Sequence, residues 1–203
     1  MRGVDTGALL LTGLGLAAAA GLNAYIPLLI AGLLAHFEVI TLGSPYDVLG
    51  STPALIILAV LLTVEILADK IPAVDSVNDV VQTFIRPASG AVLFAGALAP
   101  DSQWAQALGL IAGLVTAGAV HSAKAATRPV VNVGTAGAGA PVVSTAEDIF
   151  SVILTVAAIF VPLLVLVLLG VLIYVFDRAW RRLRRRRGKP DSSATKAVKG
   201  SGT

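Results

Sequence analysis

Glu65-Ile-Leu-Ala-Asp69-Lys70-Ile-Pro72-Ala-Val-Asp75-Ser-Val-Asn78-Asp79-Val-Val-Gln82-Thr-Phe-Ile-Arg86 is the stretch on which the fold of this chain turns. It starts inside an apolar run, runs into another, and carries four acids (Glu65, Asp69, Asp75, Asp79) and two bases (Lys70, Arg86). Charge at that density between hydrophobic segments is costly in a bilayer and needs a reason. Up to Lys70 the stretch reads as the end of an apolar helix, with Glu65 and Asp69 four apart on one face. Beyond Pro72, the residues Asp75, Asn78, Asp79, Gln82 and Arg86 fall within an arc of about 100° on a helical wheel. Val74, Val77, Val80, Val81, Phe84 and Ile85 lie opposite. The pattern predicts an amphipathic helix, capped by Asp75 or Ser76 and stopped by Pro87. Such a helix either lies in the membrane interface or turns its polar face to a wet cavity.

Working outward, the 203-residue chain is 56% hydrophobic and 13% charged, against about 25% charged for soluble domains. We therefore expect an all-α, polytopic membrane helical bundle of four to six spans. Residues 1–176 form the bundle, and 177–203 a basic, largely disordered cytoplasmic tail. The length leaves room for one bundle and no separate soluble domain. With no cysteine and two histidines, a disulfide framework, a thiolate site and a Cys nucleophile are excluded. A transition-metal site is disfavoured for the same reason, and no cofactor is implied. The net charge of +3 comes largely from Arg178, Arg181, Arg182, Arg184–Arg187 and Lys189. That cluster suits anionic lipid headgroups rather than nucleic acid. By the positive-inside rule it sets the C-terminus in the cytoplasm of a multi-pass cell-membrane protein.

Residues 7–35 form the first hydrophobic segment and read as a retained span rather than a cleaved signal. Pro27 within it would free the carbonyl of Asn23; a proline kink is the plainer expectation, a discontinuous helix the sharper one. Residues 36–52 are an acidic loop, and a second span runs from Thr52 to Lys70. Residues 88–99 are too few to cross alone, so this region borrows the preceding helix or is re-entrant. We expect re-entrant or broken segments near 72–99 and 129–146. Between them, 105–126 is a span with Gly109-x-x-x-Gly113 and Ala117 on one face, a pattern for close helix packing. Packing within the chain is the first expectation and a homo-oligomer the alternative. Pro129 should end that helix. Ser144-x-x-Glu147 reads as a capping box opening the last span, 147–176, which contains Pro162.

His121, Lys124 and Arg128 share a face at i, i+3 and i+7, beside a glycine-rich segment, and suit an anion or phosphate. For Lys70 the plain alternative is a snorkelling helix-end lysine; for Asp75 to Arg86 it is a solvated face. Glu65, a turn deeper, resists such a reading. Glu147 and Asp148 read as charges that complement a helix N-terminus. Nucleotide-binding, Walker, metalloprotease and nucleophile-elbow motifs are absent. The candidate site set is Glu65, Asp69, Lys70, Asp75, Asn78, Asp79, Arg86, His121, Lys124, Arg128, Asn132 and Thr135. Pro72-Ala-Val-Asp75 and Pro129-Val-Val-Asn132 are a faint internal echo of the kind found in transporter repeats.

Two strings carry a family resemblance. The first is Ala68-Asp69-Lys70-x-Pro72-x-x-Asp75-Ser76-x-Asn78-Asp79, continuing to Thr83-Phe84-Ile85-Arg86-Pro87. The second is His121-x-x-Lys124-Ala125-x-x-Arg128-Pro129-x-x-Asn132-x-x-Thr135, with Pro141 and Ser144-x-x-Glu147-Asp148. Together they resemble an uncharacterised family of small bacterial integral-membrane proteins, a domain of unknown function, over about residues 10–176. The resemblance implies a multi-span protein and supplies no activity. From the residues themselves we expect a small transporter or translocase with a polar intramembrane site, acting on an anion or coupled to a proton or cation. The alternatives are an intramembrane enzyme on a phosphate-bearing lipid and a structural or regulatory subunit.

Overall fold

The computed structural model describes residues 6–68, 72–98, 103–134 and 139–187. These residues form seven α-helices and a 3-10 turn, Tyr46–Gly50, with no strand among them. The helices are α1 (Thr6–Leu22), α2 (Tyr25–His36), α3 (Thr52–Ala68), α4 (Pro72–Ala97), α5 (Gln103–Gly134), α6 (Ala140–Phe160) and α7 (Leu164–Arg187). Three stretches are long and apolar enough to cross a membrane: Val80–Ala97, Trp104–Thr127 and Pro141–Phe160. Helices α1, α2 and α3 are apolar but shorter.

Helix α1 is the hub. It has no polar stripe, and Ala17 to Ala20 are fully buried because it packs against α4, α5 and α6. A helix that is apolar all round belongs inside other helices, and small side chains let the neighbours close in. A Cβ on Gly21 would come 2.6 Å from the Ala117 carbonyl oxygen. Helices α4 and α5 make the most extensive pair. They cross with Gly113 backbone against Gly90 backbone, and Gly109 lies against Ala95. The Gly109-x-x-x-Gly113 face is thus used within the chain.

The outside is apolar. On α3, Ile56, Ile57, Val60, Val64 and Leu67 are exposed, and on α4 Val80, Val81 and Phe84. Buried on α4 are instead Gln82, Arg86, Ser89 and Leu93. Gln82 and Arg86, from the polar face of the amphipathic helix, point into the bundle, so this part of the helix takes the inward-facing arrangement. Exposed apolar patches on this scale mark contact with another apolar phase.

Several local expectations are corrected. Helix α4 does not stop at Pro87 but continues through it to Ala97, so the short 88–99 segment borrows the preceding helix. Helix α5 likewise passes Pro129 and ends at Gly134. Pro72 therefore begins a helix while Pro129 lies inside one, and the two Pro-x-x-Asx strings are not structural equivalents. Helix α6 starts at Ala140, with Pro141 in its first turn where no N–H is needed. Ser144 and Glu147 consequently sit inside the helix and form no capping box.

Within 129–146 one helix ends at Gly134 and the next starts at Ala140, and two further breaks lie in the apolar segments. The first hydrophobic segment is discontinuous at Asn23–Ala24, and the last at Val161–Leu163 around Pro162. Helix α7 then runs on into the arginine-rich stretch as far as Arg187. The loop after α2 is tied to the α4–α5 end, through Gly43 N–H to the Gly96 carbonyl (3.2 Å) and the Gln106 amide to the Ser44 carbonyl (3.3 Å).

Candidate functional site

The discontinuity at Asn23 organises the buried polar residues. Its backbone N–H closes α1 on the Ala19 carbonyl at 3.0 Å. Its side-chain oxygen then accepts the N–H groups of Tyr25 (3.0 Å) and Ile26 (3.1 Å), as an N-cap does for a new helix. Pro27 stands in the first turn of α2, where its missing donor costs nothing. The Asn23 amide donates to Asp148 Oδ1 of α6 at 2.9 Å. Ser151, also of α6 and fully buried, donates to the Ala19 carbonyl at 3.1 Å.

On one side of the break lies an ion pair between α3 and α4. Arg86 Nη2 donates to Glu65 Oε1 at 3.0 Å, with side-chain exposures of 0% and 1%. Apart from Leu58, Glu65 is the residue that α3 buries. Arg86 Nη1 stands 3.4 Å from Nδ1 of His121 on α5. A guanidinium only donates, so Nδ1 is the acceptor and the imidazole proton sits on Nε2. Nε2 then donates to Thr83 Oγ1 at 3.1 Å. The Tyr25 hydroxyl approaches Gln82 within the field of Glu65 and Arg86.

Arg86 Nε and Gln82 Oε1, a turn apart on α4, are among the buried atoms here that have no hydrogen-bond partner among the described residues. Leaving such a group unsatisfied costs about 1–3 kcal/mol.

Lys124, one turn beyond His121 on α5, serves the other side of the break. Its Nζ donates to the Leu22 carbonyl at 2.9 Å and lies 2.9 Å from Glu147 Oε2. The latter oxygen makes no aligned hydrogen bond, so the attraction is charge to charge. Lys124 is 1% exposed. Glu147 and Asp148, assigned from sequence to a helix N-terminus, are instead the partners of Lys124 and Asn23 in mid-helix.

Of the candidate set, Glu65, Arg86, His121 and Lys124 come together around the α1–α2 break. The opening acids were expected to face His121, Lys124 and Arg128. Among the described residues, Glu65 instead takes Arg86 from its own stretch, His121 joins through Arg86, and Lys124 pairs with Glu147. Asn78 lies a turn before Gln82 on α4, half-buried. Asp69, Lys70 and Thr135 lie outside the described residues. Asp75 and Asp79 are on the α4 backbone and Arg128 and Asn132 on the α5 backbone, with side chains outside the described set. Sequence reasoning passed over Tyr25, Thr83 and the Leu22 carbonyl. Gln82 was legible on the polar arc, and Asn23 as the polar residue four before Pro27 in an apolar run.

A family model described as a domain of unknown function (DUF4126) matches residues 10–182. No curated protein and no solved structure matches the chain.

Proposed function

The chain belongs to that family, which brings no activity with it, and from its buried polar seam we propose a small multi-pass membrane transporter or translocase that couples an anionic substrate to a proton. The observation that carries this reading is the Arg86–Glu65 pair beside a discontinuous helix. Broken helices whose ends meet charged groups in a bundle are a transporter device, and intramembrane charges of this kind mark substrate or ion pathways.

The coupling follows from how Arg86 is held. Its Nε and Nη2 form the fork that grips a carboxylate or phosphate with two parallel bonds. Glu65 takes Nη2, while Nε has no partner among the described residues. Protonating Glu65 removes the charge that holds Nη2, and an entering anion then gains the whole fork. Gln82 Oε1 is available to a donor on the substrate. Anion and proton thus enter together, and release of the anion returns Arg86 to an ionised Glu65.

We place the protein in the cell membrane with a cytoplasmic C-terminus, since the arginines that continue α7 satisfy the positive-inside rule. An apolar groove of ≈ 810 Å³ between α5 and α7, ending at Asp177 and Trp180, suits an acyl chain. The exposed Arg178 and Arg181 beside it meet an anionic headgroup.

The test is flux. Proteoliposomes with a lumenal pH dye receive gradients of carboxylates and phosphate monoesters. The wild type should acidify its lumen with at least one anion, Arg86→Ala should not, and Glu65→Gln should move the anion without the proton. A folded wild type that moves no proton with any of them sinks the proposal.

A further inference from the structure

Lys124 has no part in that cycle, yet it is as deeply buried as Arg86. Its position is specific. The Leu22 carbonyl is the last of α1, and in a continuous helix it would accept the N–H of Ile26. That N–H is bonded to the Asn23 side chain instead, so the break leaves the carbonyl open at the negative end of the α1 dipole. Lys124 Nζ occupies that spot, 2.9 Å from the carbonyl oxygen and 2.9 Å from Glu147. Asp148, next to Glu147, is held close by on Asn23. A helix C-terminal carbonyl with carboxylates at membrane depth is a hard-oxygen cation site, and broken helices commonly hold a free Na⁺ at such ends.

We propose that the Lys124 ammonium is a built-in cation that fills a monovalent-metal position at the α1–α2 break. The protein consequently needs no Na⁺ or K⁺ there, and removing the side chain uncovers a site for one. A tethered ammonium cannot travel with substrate, so this position supplies no coupling ion to the transport cycle. That last step alone rests on the transport reading; the identity of the cation at the break does not.

The two are separable by experiment, because cation occupancy is read on purified protein without flux. Full-length wild type, Lys124→Ala and Lys124→Gln in nanodiscs are unfolded thermally in NaCl, KCl and N-methylglucamine chloride at equal ionic strength. Binding of radiolabelled Na⁺ and Rb⁺ is measured alongside. The wild type should show the same midpoint in all three salts and no binding above background. Lys124→Ala should unfold earlier in N-methylglucamine, recover in Na⁺ or K⁺, and bind the ion saturably at one per chain. Adding Glu147→Gln should abolish both the recovery and the binding. A salt-specific midpoint in the wild type overturns the proposal, as does a Lys124→Ala protein indifferent to the cation. Should Lys124→Ala fold in none of the salts, Lys124→Gln, whose side chain is shorter and whose amide oxygen can itself ligate the ion, is read by the same criteria. Failure of both variants even in NaCl and KCl also overturns it, since a free cation should then have replaced the ammonium.

Discussion

Glu65 of α3 and Arg86 of α4 meet at 3.0 Å with both side chains withdrawn from the surface. Around them the outward sides of the same helices expose valine, isoleucine and phenylalanine. Glu65 is also what α3 contributes to the polar interior, for Leu58 is the other residue that it buries.

Breaking the pair on one side should be far worse than removing it. A lone buried charge costs about 3–5 kcal/mol, whereas an apolar replacement of both partners is often neutral. Glu65→Ala and Arg86→Ala should therefore each lose stability on that scale, and Glu65→Met with Arg86→Met should regain most of it. Unfolding titrations in mixed micelles, run as a double-mutant cycle, measure the coupling. Additive losses would show that the two charges do not depend on each other.

Asn23 joins two functions, capping α2 and holding Asp148. Asn23→Ala should cost about 0.5–2 kcal/mol from the cap alone. Asn23→Asp keeps a capping oxygen but loses the amide donor that bonds Asp148 Oδ1 and sets an acceptor there instead, so it should lose at least as much stability as Asn23→Ala. Unfolding titrations of both variants beside wild type in mixed micelles rank the losses, and an Asn23→Asp protein as stable as wild type would show that the bond to Asp148 contributes nothing.

Small residues should prove indispensable only where backbones touch. At Gly113 an added methyl meets the Gly90 and Ala91 backbones, whereas at Gly170 nothing stands within 4 Å. Gly113→Ala should cost about 1–3 kcal/mol through overpacking. Gly170→Ala should stabilise by about 0.5–1 kcal/mol through reduced chain entropy. Thermal midpoints of the two variants should move in opposite directions.

Sidedness can be read directly because the chain has no cysteine. Asp47→Cys lies in the exposed loop tied to the α4–α5 end, and Ser193→Cys lies beyond the arginine cluster. In intact cells a membrane-impermeant thiol reagent should label the first and reach the second only after permeabilisation. The reverse pattern would invert the proposed topology.

Much of the fold was legible from spacing. The arc from Asp75 to Arg86 is a helical face at any depth, and Gly109-x-x-x-Gly113 is a close-packing face whatever it packs on. Prolines were misread as stops at Pro87 and Pro129, because a proline-preceded helix can be held together by tertiary packing that local propensity does not see. The capping box failed for a related reason: Pro141 began α6 a turn before Ser144.

Composition and the 3.6-residue period are enough to establish a helical, largely apolar chain in which Glu65, Arg86, His121 and Lys124 are too costly to bury without partners. Who those partners are is settled by the packing of the helices. Pairing depends on how far each helix is rotated and how deep it sits, and these are set by backbone contacts at Gly90, Gly113 and Gly21 and by the break at Asn23. That break opened the Leu22 carbonyl to Lys124 and set Asn23 against Asp148, the early start of α6 at Ala140 turned Glu147 and Asp148 from end charges into interior ones, and Arg86 closed on Glu65, a residue of its own stretch.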